Sequence, residues 1–164
     1  MKFLTGHDEL LTTIDDVVER IKQFMDQDKT SEYEISIGSD SHSFSRATKY
    51  VTVVVVHQIG KGGILFRKNT YVKGRKPALY EKLMKETTLT IDIASLIIPK
   101  IQELVKTGGY RIPNIFADGD VNIKESEPST PYGGVVEGMF KAFGLNGRIK
   151  PNAIAATYVA DYFC

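Results

Sequence analysis

Four carboxylates, spread over four separate segments, are the residues of this chain best suited to chemistry. Asp40 closes the apolar run Ile35-Ser-Ile-Gly-Ser-Asp40, and Asp118 closes Ile115-Phe-Ala-Asp118. Glu86 sits in a long helical pattern, and Asp161 lies close to the C-terminal Cys164. A carboxylate at the end of an apolar strand or on the inward face of a helix is costly unless something offsets its charge. Hard divalent cations held by oxygen ligands do so. The set therefore points to metal-dependent phosphoryl transfer. Asp120, two residues beyond Asp118, offers an additional ligand.

Helical phase separates the acids of the long helix. At about 100° per residue from Leu79, Glu86 falls near −20° and Glu81 near 200°. Glu86 thus shares a face with Leu83, Thr90 and Ile97, while Glu81 points away. The same arithmetic from Ile154 places Asp161 near −20°, on the inward side of a final helix. Taken singly, Asp40 and Asp118 also read as turn formers, Glu86 as a surface helix acid and Asp161 as terminal decoration. Their joint occurrence in this element order is what argues for a site.

His42, two residues from Asp40, could order water or carry a proton; its other reading is an ordinary loop histidine. Ser39, Ser41 and His42 do not make a nucleophilic triad, since neighbours on an extended chain point apart. Gly60-Lys-Gly-Gly63 lacks the Gly-Lys-Ser/Thr ending and the following helix of a phosphate-binding loop.

The charge is lopsided. Residues 1–40 carry four basic against ten acidic side chains, and residues 67–85 carry seven basic against Glu81 alone. A basic segment beside an acidic site, here including Lys73, Arg75 and Lys76, suits a phosphate-backbone ligand. A solvated loop and helix face is the other reading. Tyr71 and Tyr80 flank the segment and could stack on bases or pack inward.

The elements that must hold these residues are legible. Leu10, Leu11, Ile14, Val17, Val18, Ile21, Phe24 and Met25 predict an opening amphipathic helix capped by Thr5 or Asp8. A strand over Tyr33–Ser39, a polar loop Ser41–Lys49, a valine-rich strand Tyr50–Ile59, a turn at residues 60–63 and a strand Ile64–Val72 predict an antiparallel meander. Pro77 opens the long helix, Pro99 is expected to kink or interrupt it, and Gly108-Gly109 ends it. A strand over Arg111–Ala117, a polar loop Asp118–Tyr132, a helix over Val135–Phe143 and a strand at Arg148–Lys150 follow. A last helix, capped by Asn152, closes the chain. This is a mixed α/β layer arrangement.

Several segments resemble the ribonuclease H-like superfamily, and most closely its YkuK-like branch of predicted nucleases. They are Ile37-Gly-Ser-Asp-Ser-His42, the strand Tyr50–Val56 with its glycine turn, Leu83-Met-Lys-Glu86, Phe116-Ala-Asp118-Gly, and the stretch from Ile149 to Asp161. The resemblance spans about residues 33–164 and implies a mixed five-stranded sheet of order 3-2-1-4-5, its second strand antiparallel to the rest. The segment 1–30 would be a helical addition to a single domain. It implies Asp40, Glu86, Asp118 and Asp161 as catalytic ligands of two magnesium or manganese ions, about 3.5–4 Å apart. Asp40 would bridge the two. The implied reaction is hydrolysis of RNA, RNA–DNA hybrid or structured DNA to a 5′-phosphate and a 3′-hydroxyl.

The rival is a module that keeps the fold and binds nucleic acid without catalysis. A sugar-kinase-like or actin-like ATPase shares such a sheet but needs two domains and a second phosphate loop, for which 164 residues are too few. With 42% apolar and 25% charged residues, the composition is that of an ordinary globular domain. The single cysteine, Cys164, excludes an internal disulfide framework and a cysteine-based zinc site. A cytoplasmic setting is expected, with no signal peptide and no run of roughly 20 apolar residues to span a membrane.

Overall fold

A computed structural model describes residues 1–124 and 126–164. A seven-stranded mixed sheet forms its centre, in the order β2-β1-β5-β4-β3-β6-β7. The strands are β1 (Phe3–Thr5), β2 (Leu10–Leu11), β3 (Glu32–Ser43), β4 (Ala47–Gln58), β5 (Gly62–Lys73), β6 (Arg111–Gly119) and β7 (Gly147–Ile149). Strands β3, β4 and β5 form the antiparallel meander, while β6 and β7 add in parallel beside β3. The run β5-β4-β3-β6-β7 keeps the expected 3-2-1-4-5 order. The sheet is nonetheless wider than expected, because β1 pairs with β5 and carries β2 at the edge.

That edge corrects the reading of the N-terminus. Leu11 is buried but Leu10 is exposed, so the apolar pair belongs to a strand and not to a helix face. Helix α1 (Ile14–Asp26) begins later, and Thr13, not Thr5 or Asp8, caps it: Asp16 N donates to Thr13 Oγ1 and Thr13 N to Asp16 Oδ2. Asp8 instead takes a left-handed turn conformation, φ 63°.

The polar stretch Ser41–Lys49 is also corrected. Most of it continues the two strands, leaving only residues 44–46 as the hairpin connection. The hydroxyls pair across the ladder, Ser39 with Thr52 at 2.8 Å and Ser43 with Thr48 at 3.1 Å, so polar residues are accommodated inside strands.

Helix α2 (Leu79–Gly108) runs without a break through Pro99. Pro99 and Ser95, whose carbonyl loses its partner, both face solvent, where water can satisfy that carbonyl. Ile93, Ala94, Ile97 and Ile101 meanwhile pack with α1 onto Tyr33, Ile35, Ile37, Val54 and Val56. Helix α3 (Gly133–Ala142) buries Val136 and Phe140 against Ala117 and Leu83.

The last helix covers the opposite face of the sheet. Its Ala155 and Ala160 pack on Val51 and Val53. It is a π-helical segment (Ala155–Ala160) running into one α-turn (Asp161–Phe163), and Asn152 does not cap it. Gly38 lets it lie close: a Cβ there would fall 2.5 Å from the backbone nitrogen of Ala156. No described helix is long and apolar enough to cross a membrane.

Candidate active site

Strand β3 presents alternate residues to the two helical layers. Ser39 and Ser41 face α2, where Thr90 Oγ1 donates to Ser39 Oγ at 2.9 Å and Ser41 Oγ donates to Glu86 Oε1 at 2.7 Å. Gly38 and Asp40 belong to the face covered by the C-terminal helix. Asp40 and Glu86 therefore arrive from opposite faces of the sheet and meet near the end of β3. The link is Lys82, whose Nζ lies 3.8 Å from Asp40 Oδ1 and 3.7 Å from Glu86 Oε1.

Strand β6 stops at Gly119, and the register pairs Asp118 with Gly38. Asp120, just past the strand, is the acid beyond β6 that comes near Asp40. Its charge acts on both Asp40 and Glu86. Burial, then the neighbouring Asp120, pushes the Asp40 carboxyl up to about 6, against the Ser41 amide that donates to it at 2.7 Å and the Lys82 charge. Glu86 is only 3% exposed, and burial raises it to about 8 despite Lys82 and the Ser41 hydroxyl.

Asp118, expected among the clustered acids, has donors of its own. Its Oδ1 accepts from Arg148 Nε at 2.8 Å. Its Oδ2 accepts from Arg148 Nη2 at 3.1 Å and from the Ala155 amide at 2.8 Å. Burial raises its pKa, opposed by those donors. Arg148 also reaches Glu34 and Ser36 and stacks over the Phe116 ring, 3.8 Å from its centroid. Asp118 thereby does for the last helix what Asn152 was expected to do.

Asp161 is exposed, not inward as its helical phase suggested. The reference residue Ile154 is itself 42% exposed, and the π-helical turn breaks the 100° per residue spacing that the arithmetic assumed. Asp161 still lies near enough to act on Asp40 and Lys150 by charge.

Among the substrate-contact candidates, Lys73 and Lys76 are exposed. Arg75 is committed elsewhere: its guanidinium pairs with both oxygens of Glu81 at 2.8 and 2.6 Å, while Glu81 caps the start of α2 through the Ala78 amide. His42 is exposed and packs edge-on against Phe44. It lines a cavity of about 330 Å³ with Ser41, Ser43, Lys76 and Lys82. A second hollow, of about 180 Å³, is bordered by Lys82, Glu86, Asp120 and Lys150.

The donor set suits hard divalent ions, being all carboxylate oxygen. One of its buried oxygens, Glu86 Oε2, makes no hydrogen bond, while Asp120 Oδ1 meets the Lys150 ammonium at 2.7 Å. As they lie, no three His, Cys, Asp or Glu side chains among the described residues are grouped to hold an ion.

Sequence reasoning missed Lys82, Lys150, Ser41 and Arg148. Lys82 was findable, four residues before Glu86 on one helix face. Arg148 carried no signal, because its partners are distant in the chain.

A family model described as Ribonuclease H-like matches residues 16–164. A protein of Bacillus subtilis, uncharacterized protein YkuK, is 28% identical over 159 residues, covering 94% of this chain and 92% of that one. Among solved structures, an N-terminal RNase H domain from Mycobacterium tuberculosis overlaps at 11% identity and TM-score 0.33, over 80% of this chain and 96% of that chain. The human endonuclease V catalytic domain overlaps at 11% identity and TM-score 0.29, over 64% of this chain and 46% of that chain.

Proposed function

Because this chain belongs to the ribonuclease H-like family, we propose that it is a divalent-ion-dependent nuclease hydrolysing phosphodiester bonds in RNA, RNA–DNA hybrid or structured DNA. The observation that carries the reading is Glu86 Oε2, buried without a partner beside Asp40 and Asp120. An unpaired buried carboxylate oxygen is expensive and calls for a cation.

Asp40, Glu86, Asp120 and Asp161 are the residues that would hold magnesium or manganese. Such ions, when bound, supply an activated water and charge stabilisation at the leaving oxygen. The protein's own share is placement. The Ser41 amide holds Asp40 and the Ser41 hydroxyl holds Glu86. Asp118 and Arg148 anchor the helix that carries Asp161. Lys73 and Lys76 contact the phosphate backbone, and His42, beside Lys76, orders water or accepts a proton.

A second reading is a nucleic-acid-binding module without turnover. Lys82 and Lys150 favour it, since they already offset part of the acidic charge. One assay separates the two: cleavage of RNA, hybrid, duplex and branched DNA with magnesium or manganese, with Asp40→Asn as control. Ion-dependent cleavage that disappears in Asp40→Asn supports the nuclease. Tight, ion-independent binding with no cleavage supports the module.

A further inference from the structure

We infer that Lys82 and Lys150 are the resident cations of the acidic cluster, and that a divalent ion loads by displacing them. The inference rests on the reading above, that Asp40, Glu86 and Asp120 are ion ligands.

The Lys82 ammonium stands between two carboxylates, 3.8 Å from Asp40 Oδ1 and 3.7 Å from Glu86 Oε1. These distances exceed hydrogen-bond range. Lys82 therefore acts by charge and can leave without breaking a directed bond. Lys150 Nζ lies 2.7 Å from Asp120 Oδ1, a charge-assisted contact that an ion taking that oxygen must break.

Both side chains are partly exposed, at 30% and 29%. Each can swing its ammonium into water on a flexible stem while keeping its backbone in place. The carboxylates cannot do the same: Glu86 is on a packed helix face and Asp40 inside a strand. The buried Asp40 and Glu86 and the half-buried Asp120 would repel one another without a counter-charge. The lysines offset that repulsion and for the same reason compete with any ion for the same oxygens. Lys82 also borders both hollows of the site, so its position governs access to the oxygens of Glu86 and Asp120.

The test is calorimetric titration of Mn²⁺ into wild type, Lys82→Gln, Lys150→Gln and the double variant. Mildly alkaline buffer keeps protons from masking the effect. Each single variant is expected to bind Mn²⁺ about tenfold more tightly than wild type, and the double variant tighter still. Lys82→Met, which keeps the apolar stem, replaces Lys82→Gln if the latter does not fold. Unchanged or weaker affinity, with Mn²⁺ still bound by wild type, overturns this inference and leaves the nuclease reading standing. Mn²⁺ bound by neither wild type nor variants overturns both. Mn²⁺ bound only by the variants upholds the displacement.

Discussion

Arg148 Nε donates to Asp118 Oδ1 at 2.8 Å, and the other oxygen of the same carboxylate receives the Ala155 amide at 2.8 Å. One buried acid thus ties β7 to the start of the C-terminal helix. Removing Arg148 would leave Asp118 buried with its charge largely uncompensated. Arg148→Met should therefore destabilise the protein by about 3–5 kcal/mol in denaturant titration. A loss below about 1 kcal/mol would mean that Asp118 is not held by this pair.

Asp40 and Asp118 should separate by phenotype. Asp40→Asn removes a charge from a crowded acidic group, so it should fold at least as stably as wild type and lose nuclease turnover. Asp118→Asn weakens a charge-assisted pair and should cost about 1–3 kcal/mol, its activity falling with the folded fraction. Thermal melts run alongside cleavage assays decide this. A fully stable, inactive Asp118→Asn would return Asp118 to the catalytic group.

The metal-free protein should lose stability as pH rises. Burial holds Glu86 up at about 8 and Asp40 up at about 6, both above ordinary carboxylate values. The folded state therefore binds more protons than the unfolded state across this window. The contribution is full below the ordinary carboxylate range and is lost as pH climbs through about 6 and then about 8. Melting temperatures between acidic and mildly alkaline pH should fall in chelator and fall less with Mg²⁺ or Mn²⁺ present. A flat profile in chelator would reject the raised values.

Gly38→Ala should disturb the seat of the last helix. The new Cβ would lie 2.5 Å from Ala156 N and 3.0 Å from Ala156 Cα, and backbone cannot swing aside as a side-chain tip can. A cost of about 1–3 kcal/mol is expected from overpacking, read by denaturation, with increased exchange of amides in residues 155–163.

Lys76→Ala and Arg75→Ala should differ although the residues are adjacent. Lys76 is exposed beside the His42 cavity, so its loss should weaken nucleic-acid binding across sequences and lower the salt slope by about 1. Arg75 is paired with Glu81, so Arg75→Ala should mainly loosen the first turn of α2, measured by helical content and melting temperature. Equal losses of binding would show that Arg75 releases Glu81 to meet a phosphate.

Periodicity and residue type in the sequence alone determined much of this molecule. The valine-rich β4 and the helix carrying Glu86 follow from local pattern, because alternation and helical phase each act over a few residues; the strand order came from the family resemblance. Glu86 could be told from Glu81 for the same reason. The tertiary structure alone decided the surroundings of each acid. Asp118 and Asp120 are two residues apart and look alike in the chain. The register of β6 against β3 sets one opposite Gly38 and under Arg148, and carries the other past the strand end toward Asp40. Whether Asp161 points inward depended on a π-helical turn that no 100° spacing anticipates. Lys82 and Lys150 became partners of those acids only when packing took the carboxylates out of water, where an uncompensated charge cannot stand.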